Sequence, residues 1–251
     1  MLTQLSALWW PFCRIMALLS AAPVLGDGPV PVTVRVLVSL VLAVILLPGS
    51  APVVPIEPWS LHAVVATIEQ AAVGGILGLA LHFTMSVIMV LGYLVSSQMG
   101  LSMAVMNDPM SGVSSDVVSS LLSILSILVF FSIDGHLVIV QIAGASFQQW
   151  PVGSGLRAPA LQAVALNVAW VFSAALLLAL PIVFATVVVQ VGFGFLARVA
   201  PALNLFSMGF SVVTLFGIFM LAQLVRFLPE HYLRMSDQVL QMLRTAMLAR
   251  P

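Results

Sequence analysis

The sequence predicts an all-α, polytopic membrane protein of about six long, partly broken apolar helices, and three observations carry that prediction. Apolar residues make up 62% of the 251-residue chain and charged residues 6%, against about 25% charged in a soluble domain. Mean hydropathy is +1.20. The apolar residues form continuous runs separated by Pro and Gly clusters, without the alternation of a transmembrane barrel strand.

Six apolar segments can be marked: Leu5 to Leu25, Val32 to Leu47, Ala63 to Val95, Val117 to Ile142, Ala163 to Val191 and Leu205 to Leu228. The first ends in Ser20-Ala21-Ala22 like a leader, but no basic residue precedes it and Arg14 interrupts it, so it is read as a retained helix. The second is bounded by Gly26-Asp27-Gly28-Pro29 and Pro48-Gly49-Ser50.

The third segment is too long for a simple crossing. A span needs about 20 residues, and its roughly 33 residues would reach about 50 Å, which implies extreme tilt or a break. Glu69, Gln70 and His82 lie inside it and should face protein or water. Gly74 and Gly78, with Ala71 and Gly75 beside them, permit close helix contact, although such spacings are common in Gly-rich sequence.

In the fourth segment Ser115, Ser119, Ser123 and Ser126 make one polar stripe that extends to Asp134, followed by Gly135 and His136. The stripe fits a satisfied helix interface or the wall of a water-filled path. Asp134 and His136 are expected to be buried polar groups, as is Glu69. The fifth segment carries Asn167, Gln190 and a central Pro181, which frees a carbonyl and favours a kink. After the sixth, Arg234, Gln238, Gln241 and Thr245 fall on one face and Leu233, Leu240, Leu243 and Met247 on another, the pattern of a separate amphipathic helix after Pro229.

Function classes narrow quickly. Formal net charge is zero with eight basic residues, all Arg and scattered singly, so no nucleic-acid surface is expected. Cys13 is the single cysteine, which removes disulfide frameworks and cysteine-rich metal sites. There is no phosphate loop, no nucleophile elbow and no paired-histidine metal motif, so no enzymatic activity, metal or cofactor is expected.

The most distinctive stretch lies between the third and fourth segments. Met99, Met103, Met106 and Met110 recur at helical spacing, and Asp108-Pro109 interrupts the row. Flexible, polarisable Met can seal an irregular gap or adapt to variable partners, and is also ordinary core filler. Its place in a long linker favours the first use.

Together the motifs resemble the FliR/SctT family, the R subunits of type III export gates. The resemblance rests on Gln98-Met99-Gly100 with Asp108-Pro109, on Asp134-Gly135-His136, on Ser146-Phe147 followed by Pro151, and on Ala200-Pro201-Ala202-Leu203-Asn204-Leu205-Phe206 running into Gly209-Phe210. It covers nearly the whole chain. It implies helical hairpins in a multi-subunit pore assembly at the flagellar basal body, in the bacterial inner membrane. Residues 1–146 would resemble the P subunit and include a plug linker at 99–119; residues 147–228 would resemble the Q subunit, and 229–251 would form the amphipathic tail.

The resemblance further implies P and Q partners (FliP and FliQ), the FlhB and FlhA export proteins, contact with lipid, and unfolded flagellar proteins as cargo. Met103, Met106, Met110, Asp108 and Pro109 would belong to the plug. Arg198, Pro201, Asn204 and Phe206 would form a hairpin near the cytoplasmic entrance. If that turn is cytoplasmic and the last segment simply crosses, the Arg-containing C-terminus would lie outside, against the positive-inside rule. The last hairpin is therefore expected not to span conventionally. Rival readings are a homologous injectisome subunit, a self-sufficient proton-coupled transporter using Glu69, His82 and Asp134, and a membrane scaffold without a pore.

Overall fold

The computed structural model describes residues 2–26, 30–50, 56–57, 60–101, 116–156, 158–199 and 205–248, with side chains described throughout except at 2–6, 158–160, 205–208 and 246–248. The described residues form seven helices: α1 (Leu2–Ala21), α2 (Val32–Leu46), α3 (Leu61–Gln98), α4 (Val117–Ser132), α5 (Gly135–Gln149), α6 (Ala158–Val199) and α7 (Leu205–Leu248). A 3-10 turn, Leu47–Gly49, extends α2. Among the described residues there is no strand, so the predicted all-α class is the observed one.

Among the described residues four stretches are long and apolar enough to cross a membrane: Val32–Gly49, Leu61–Gln98, Leu161–Val199 and Gly209–Thr245. The bent pair α4 and α5 makes a fifth if counted as one span, and α1 contributes a shorter apolar helix, Ala7–Ala21. Six predicted segments thus become four or five spans by length and composition.

The long segments depart from expectation in two directions. The third neither breaks nor stops: α3 runs for 38 residues, about 57 Å at 1.5 Å per residue. It contains no proline, and 56% of its most apolar window is buried inside the chain, so protein rather than lipid covers much of its length. The fourth segment breaks where an uninterrupted run was marked. Asp134 adopts a left-handed conformation (φ 55°, ψ 35°), which a short polar side chain tolerates better than most, and the chain bends by 67° between α4 and α5. Gly135 makes the corner possible, because a Cβ there would strike the Phe130 ring.

Proline interrupts less than its chemistry suggested. Pro181 lies inside α6, and Pro229 lies inside a 44-residue α7 that joins the last apolar segment to the amphipathic tail. A proline removes one backbone hydrogen bond, while the turns on either side retain theirs. The tail's buried stripe also differs from the predicted apolar face. Met235, Val239 and Leu243 are buried, whereas Leu233 is exposed, because a residue two places from Met235 points to nearly the opposite side of the helix.

The chain forms two compact units, Met1–Phe83 with Phe130–Val168 and Met235–Pro251, and Thr84–Val129 with Ala169–Arg234. The first is centred on α1, the first half of α3 and α5, with Ile15, Leu18, Leu77, Ile139 and Trp150 almost wholly buried. The second joins the end of α3 to α4, the later part of α6 and the first part of α7, around Ile88, Leu91, Met99, Leu122 and Ile182. The α2 stretch is different: 11% of its window is buried, and Val32, Leu37, Val41, Val44 and Ile45 are exposed. A helix apolar on every side needs lipid or another chain around it.

Candidate functional site

The Met-rich linker is the strongest functional signal in the sequence, and the second unit holds both of its ends. Met103, Met106 and Met110, with Asp108 and Pro109, lie outside the described residues. On the near side α3 closes with Gly100 N–H donating to the Ser97 carbonyl at 3.1 Å. Gly100 has φ +75°, the left-handed helix end that glycine adopts without steric cost. A Cβ at this position would also lie 2.6 Å from Phe210 Cε2.

Met99 is buried, and its side chain fills the space above Gly217, where a Cβ would meet Met99 Cγ at 2.5 Å and Sδ at 3.0 Å. Thr214 Oγ1 on α7 shares its proton between the carbonyls of Met99, at 3.1 Å, and Phe210, at 2.9 Å. Gln190 Nε2 on α6 donates to the Gln98 carbonyl at 3.4 Å. The end of α3 is therefore tied to both long helices before the linker begins.

Beside these ties lies a cavity of about 480 Å³, walled by Met99, Gly100, Phe193, Gly194, Phe210 and the Gln190 amide among others. Small residues make room and aromatic ones line it, so the space suits apolar side chains. No cluster of three potential metal ligands occurs among the described residues.

On the far side Asp116 begins α4. Its Oδ2 accepts hydrogen bonds from Ser119 N–H at 3.1 Å and Ser119 Oγ at 2.8 Å, the geometry of a helix cap, while Oδ1 accepts from Ser96 Oγ on α3. Ser119 Oγ also contacts the Met89 carbonyl at 3.1 Å. A Cβ at Gly92 would collide with Ser119 (Cα at 2.5 Å), so glycine is what lets the two helices meet. The serine stripe is thus split: Ser119 is engaged with Asp116, Ser126 is buried and Asp134 is exposed.

The first unit contains a polar knot centred on a residue that sequence reading noticed only as an interruption. Arg14 is fully buried. Its Nε donates to Gln70 Oε1 at 2.7 Å, one terminal nitrogen to Ser146 Oγ at 3.2 Å and the other to the Trp150 carbonyl at 2.7 Å. The guanidinium carbon lies 4.3 Å from the centre of the Phe147 ring, a cation–π contact. Gln70 in turn donates from Nε2 to Glu69 Oε1 at 3.3 Å. Three hydrogen bonds, an aromatic face and a nearby carboxylate are what a buried cation requires. A lone Arg in an apolar helix was the available signal, but its partners are up to 136 residues away.

Around this knot α1 and α3 touch closely. A Cβ at Gly74 would collide with the Arg14 carbonyl, and one at Gly78 would lie 2.5 Å from the Leu18 carbonyl. Gly75 faces open space. Of the three polar residues expected to be buried, only Glu69 is buried within the chain. Asp134 and His136 are exposed at the α4–α5 corner, which follows from the break that turns them outward, and the His136 ring lies 6.0 Å from that of Phe131. Arg198 is exposed in the last turn of α6. Pro201 and Asn204 lie outside the described residues, and Phe206 is described only as backbone of α7.

The family described as "Bacterial export proteins, family 1" matches residues 5–239. The chain is 31% identical over 247 residues to the flagellar biosynthetic protein FliR of Pectobacterium carotovorum subsp. carotovorum, covering 97% of this chain and 93% of that protein. It is 29% identical to the FliR of Escherichia coli K12, covering 89% and 86%. It is 26% identical to the surface presentation of antigens protein SpaR of Salmonella typhimurium, covering 90% and 86%. With 235 of its 251 residues matched end to end, this chain belongs to the bacterial export proteins, family 1.

Proposed function

We propose that the chain is a non-enzymatic subunit of the flagellar type III export gate in the bacterial inner membrane, assembling with P and Q subunits (FliP and FliQ) and working beside FlhB and FlhA to pass unfolded flagellar proteins. Family membership across residues 5–239 is the observation that carries this reading. The helices support it physically. Both α6 and α7 exceed 40 residues, about 60 Å or more and roughly twice the hydrocarbon thickness. Phe172, Leu177, Phe184, Val188 and Phe195 stay exposed along α6. Apolar surface of that length is suited to neighbouring subunits as well as to lipid.

Within the gate, Met103, Met106 and Met110 form the plug together with Asp108 and Pro109, and the segment Arg198, Pro201, Asn204 and Phe206 turns at the cytoplasmic entrance. Residues 1–146 play the P-like part, 147–228 the Q-like part, and 229–251 the amphipathic tail. Deleting the gene and assaying culture supernatants tests the role. The account expects loss of rod, hook and filament proteins from the medium, restored by the intact gene. Normal flagellar secretion in the deletion strain contradicts it.

The match to SpaR favours a second reading, a homologous injectisome subunit. In that case the same deletion abolishes secretion of virulence proteins and leaves motility intact.

A further inference from the structure

Among the described residues the four long apolar stretches differ in length. Leu61–Gln98, Leu161–Val199 and Gly209–Thr245 run for 37 to 39 residues, whereas Val32–Gly49 has 18. Eighteen residues rise about 27 Å, close to the roughly 30 Å of a bilayer's hydrocarbon core. We propose that this stretch, α2 with its closing turn, is the chain's bilayer anchor: in the assembled gate acyl chains, rather than a neighbouring subunit, cover its outer sides. The inference rests on the gate reading for the subunits that surround the chain.

The seam by which α2 meets the rest of the first unit is narrow. Within α2, the buried or half-buried positions are Arg35, Ser39, Leu42, Ala43 and Leu46, and spacings of four, three, one and three put them on a single stripe. Ser39 Oγ donates to Met16 Sδ of α1 at 3.5 Å. A Cβ at Gly144 of α5 would lie 3.5 Å from Leu46 Cδ2. Helices in membranes approach one another through small residues. Beyond Thr33 in the first turn, the small residues of α2 are Ser39 and Ala43, and both are wholly buried in this seam.

Large side chains occupy the remaining sides. Val36, Val38, Leu40, Val41, Val44 and Ile45 are all exposed, and at 100° per residue they spread over more than half of the circumference. A second helix would bury one stripe about as wide as the first and leave the others bare. A liquid of acyl chains wets every side at once.

The two ends agree with this placement. Arg35 lies in the first turn, and its Nε and one terminal nitrogen donate to the Val30 carbonyl at 3.3 and 3.0 Å. Its charge therefore bends back past the start of the helix, as Arg does near helix ends to keep its head at the water boundary. At the other end Ser50 Oγ donates to the Leu47 carbonyl at 2.9 Å. Polar groups thus stand at both ends of an apolar length that fits one hydrocarbon core.

The test uses the tagged full chain co-expressed with its partner subunits, purified as the complex and reconstituted in phosphatidylcholine liposomes. Val38→Cys, Leu40→Cys and Val41→Cys, each alone on a different outer side, carry a nitroxide label in a Cys13→Ser background, with the partners' cysteines replaced. Collision with oxygen, which concentrates among acyl chains, and with a water-soluble nickel chelate separates lipid, protein and water as surroundings. The anchor predicts oxygen access several-fold above nickel access at all three positions. Low access to both reagents at any of them means that a subunit covers that side, and high nickel access means water; either result overturns the inference.

A second measurement needs no label. Val38→Leu, Leu40→Ile and Val41→Leu together should leave the yield of complex unchanged, because a fluid adapts to a new shape and a packed interface does not. A several-fold loss of complex overturns the anchor. Failure of the gate reading shows separately: if no P or Q subunit accompanies the tagged chain, that reading falls, and the same labels on the chain alone judge α2 by the same criterion.

Discussion

Nε of Arg14 donates a 2.7 Å hydrogen bond to Oε1 of Gln70, joining the middle of α1 to the first half of α3. Because Arg14 also holds Ser146 and Trp150 near the end of α5, one side chain fastens three helices. Removing it strands several buried polar groups at once.

Arg14→Ala is accordingly expected to destabilise the first unit by about 3–5 kcal/mol, the range for breaking a buried charge network by removing one partner. Arg14→Lys should recover only part of that, because an ammonium cannot reproduce the planar fork toward Gln70, Ser146 and Trp150. Thermal aggregation of the detergent-solubilised chain measures both. A midpoint for Arg14→Ala equal to that of the parent would contradict the role given to the knot.

Glycine spacing on α3 gives a second prediction with an internal control. Gly74→Leu and Gly78→Leu should each separate α1 from α3 and reduce the amount of folded chain in membranes several-fold. Gly75→Ala should be tolerated or slightly stabilising, since that position meets open space and alanine favours helix by about 1 kcal/mol over glycine. Quantitative immunoblotting of membrane fractions distinguishes the three. Helix propensity favours all three substitutions, so equal loss at Gly75 would contradict close approach as the reason glycine is needed at Gly74 and Gly78.

At the other end of α3, Gly100→Ala should cost about 1–2 kcal/mol from its left-handed backbone alone, plus the displacement of the Phe210 ring. Adding Phe210→Ala should remove the second contribution and leave the first. Comparison of the single and double variants by thermal unfolding checks this. Full rescue by Phe210→Ala would show that the backbone conformation is not the constraint.

The plug assignment predicts a selective defect. Changing Met103, Met106 and Met110 together to Gly or Ser should raise ion leak through the assembled gate and leave subunit assembly unchanged, since soft apolar side chains are lost without altering the helices that frame them. Conductance of membranes carrying the assembled complex is the measurement. Unchanged leak with unchanged secretion would remove the assignment.

The sequence displayed what depends on neighbours a few residues away. Uninterrupted apolar runs announced helices, and Asp134-Gly135 stood where the chain turns by 67°. Contacts between distant segments were not written in any one of them. Arg14 looked like an isolated charge because its partners lie 56, 132 and 136 residues on. Asp116 drew no reading from the sequence, and only the position of Ser96 gives its second oxygen a partner. Pro229 misled for a related reason: its local rule favours a break, and the turns on both sides of it outweigh that preference.

The central claim is that this chain works as one part of a larger gate. Purification of the tagged chain from native membranes under mild detergent, with mass spectrometry of what accompanies it, tests this most directly. The account predicts a large complex containing P and Q subunits, together with a lone chain that transports nothing when reconstituted. Recovery of the chain by itself, active in proton-coupled transport and losing that activity on Asp134→Asn, would contradict it.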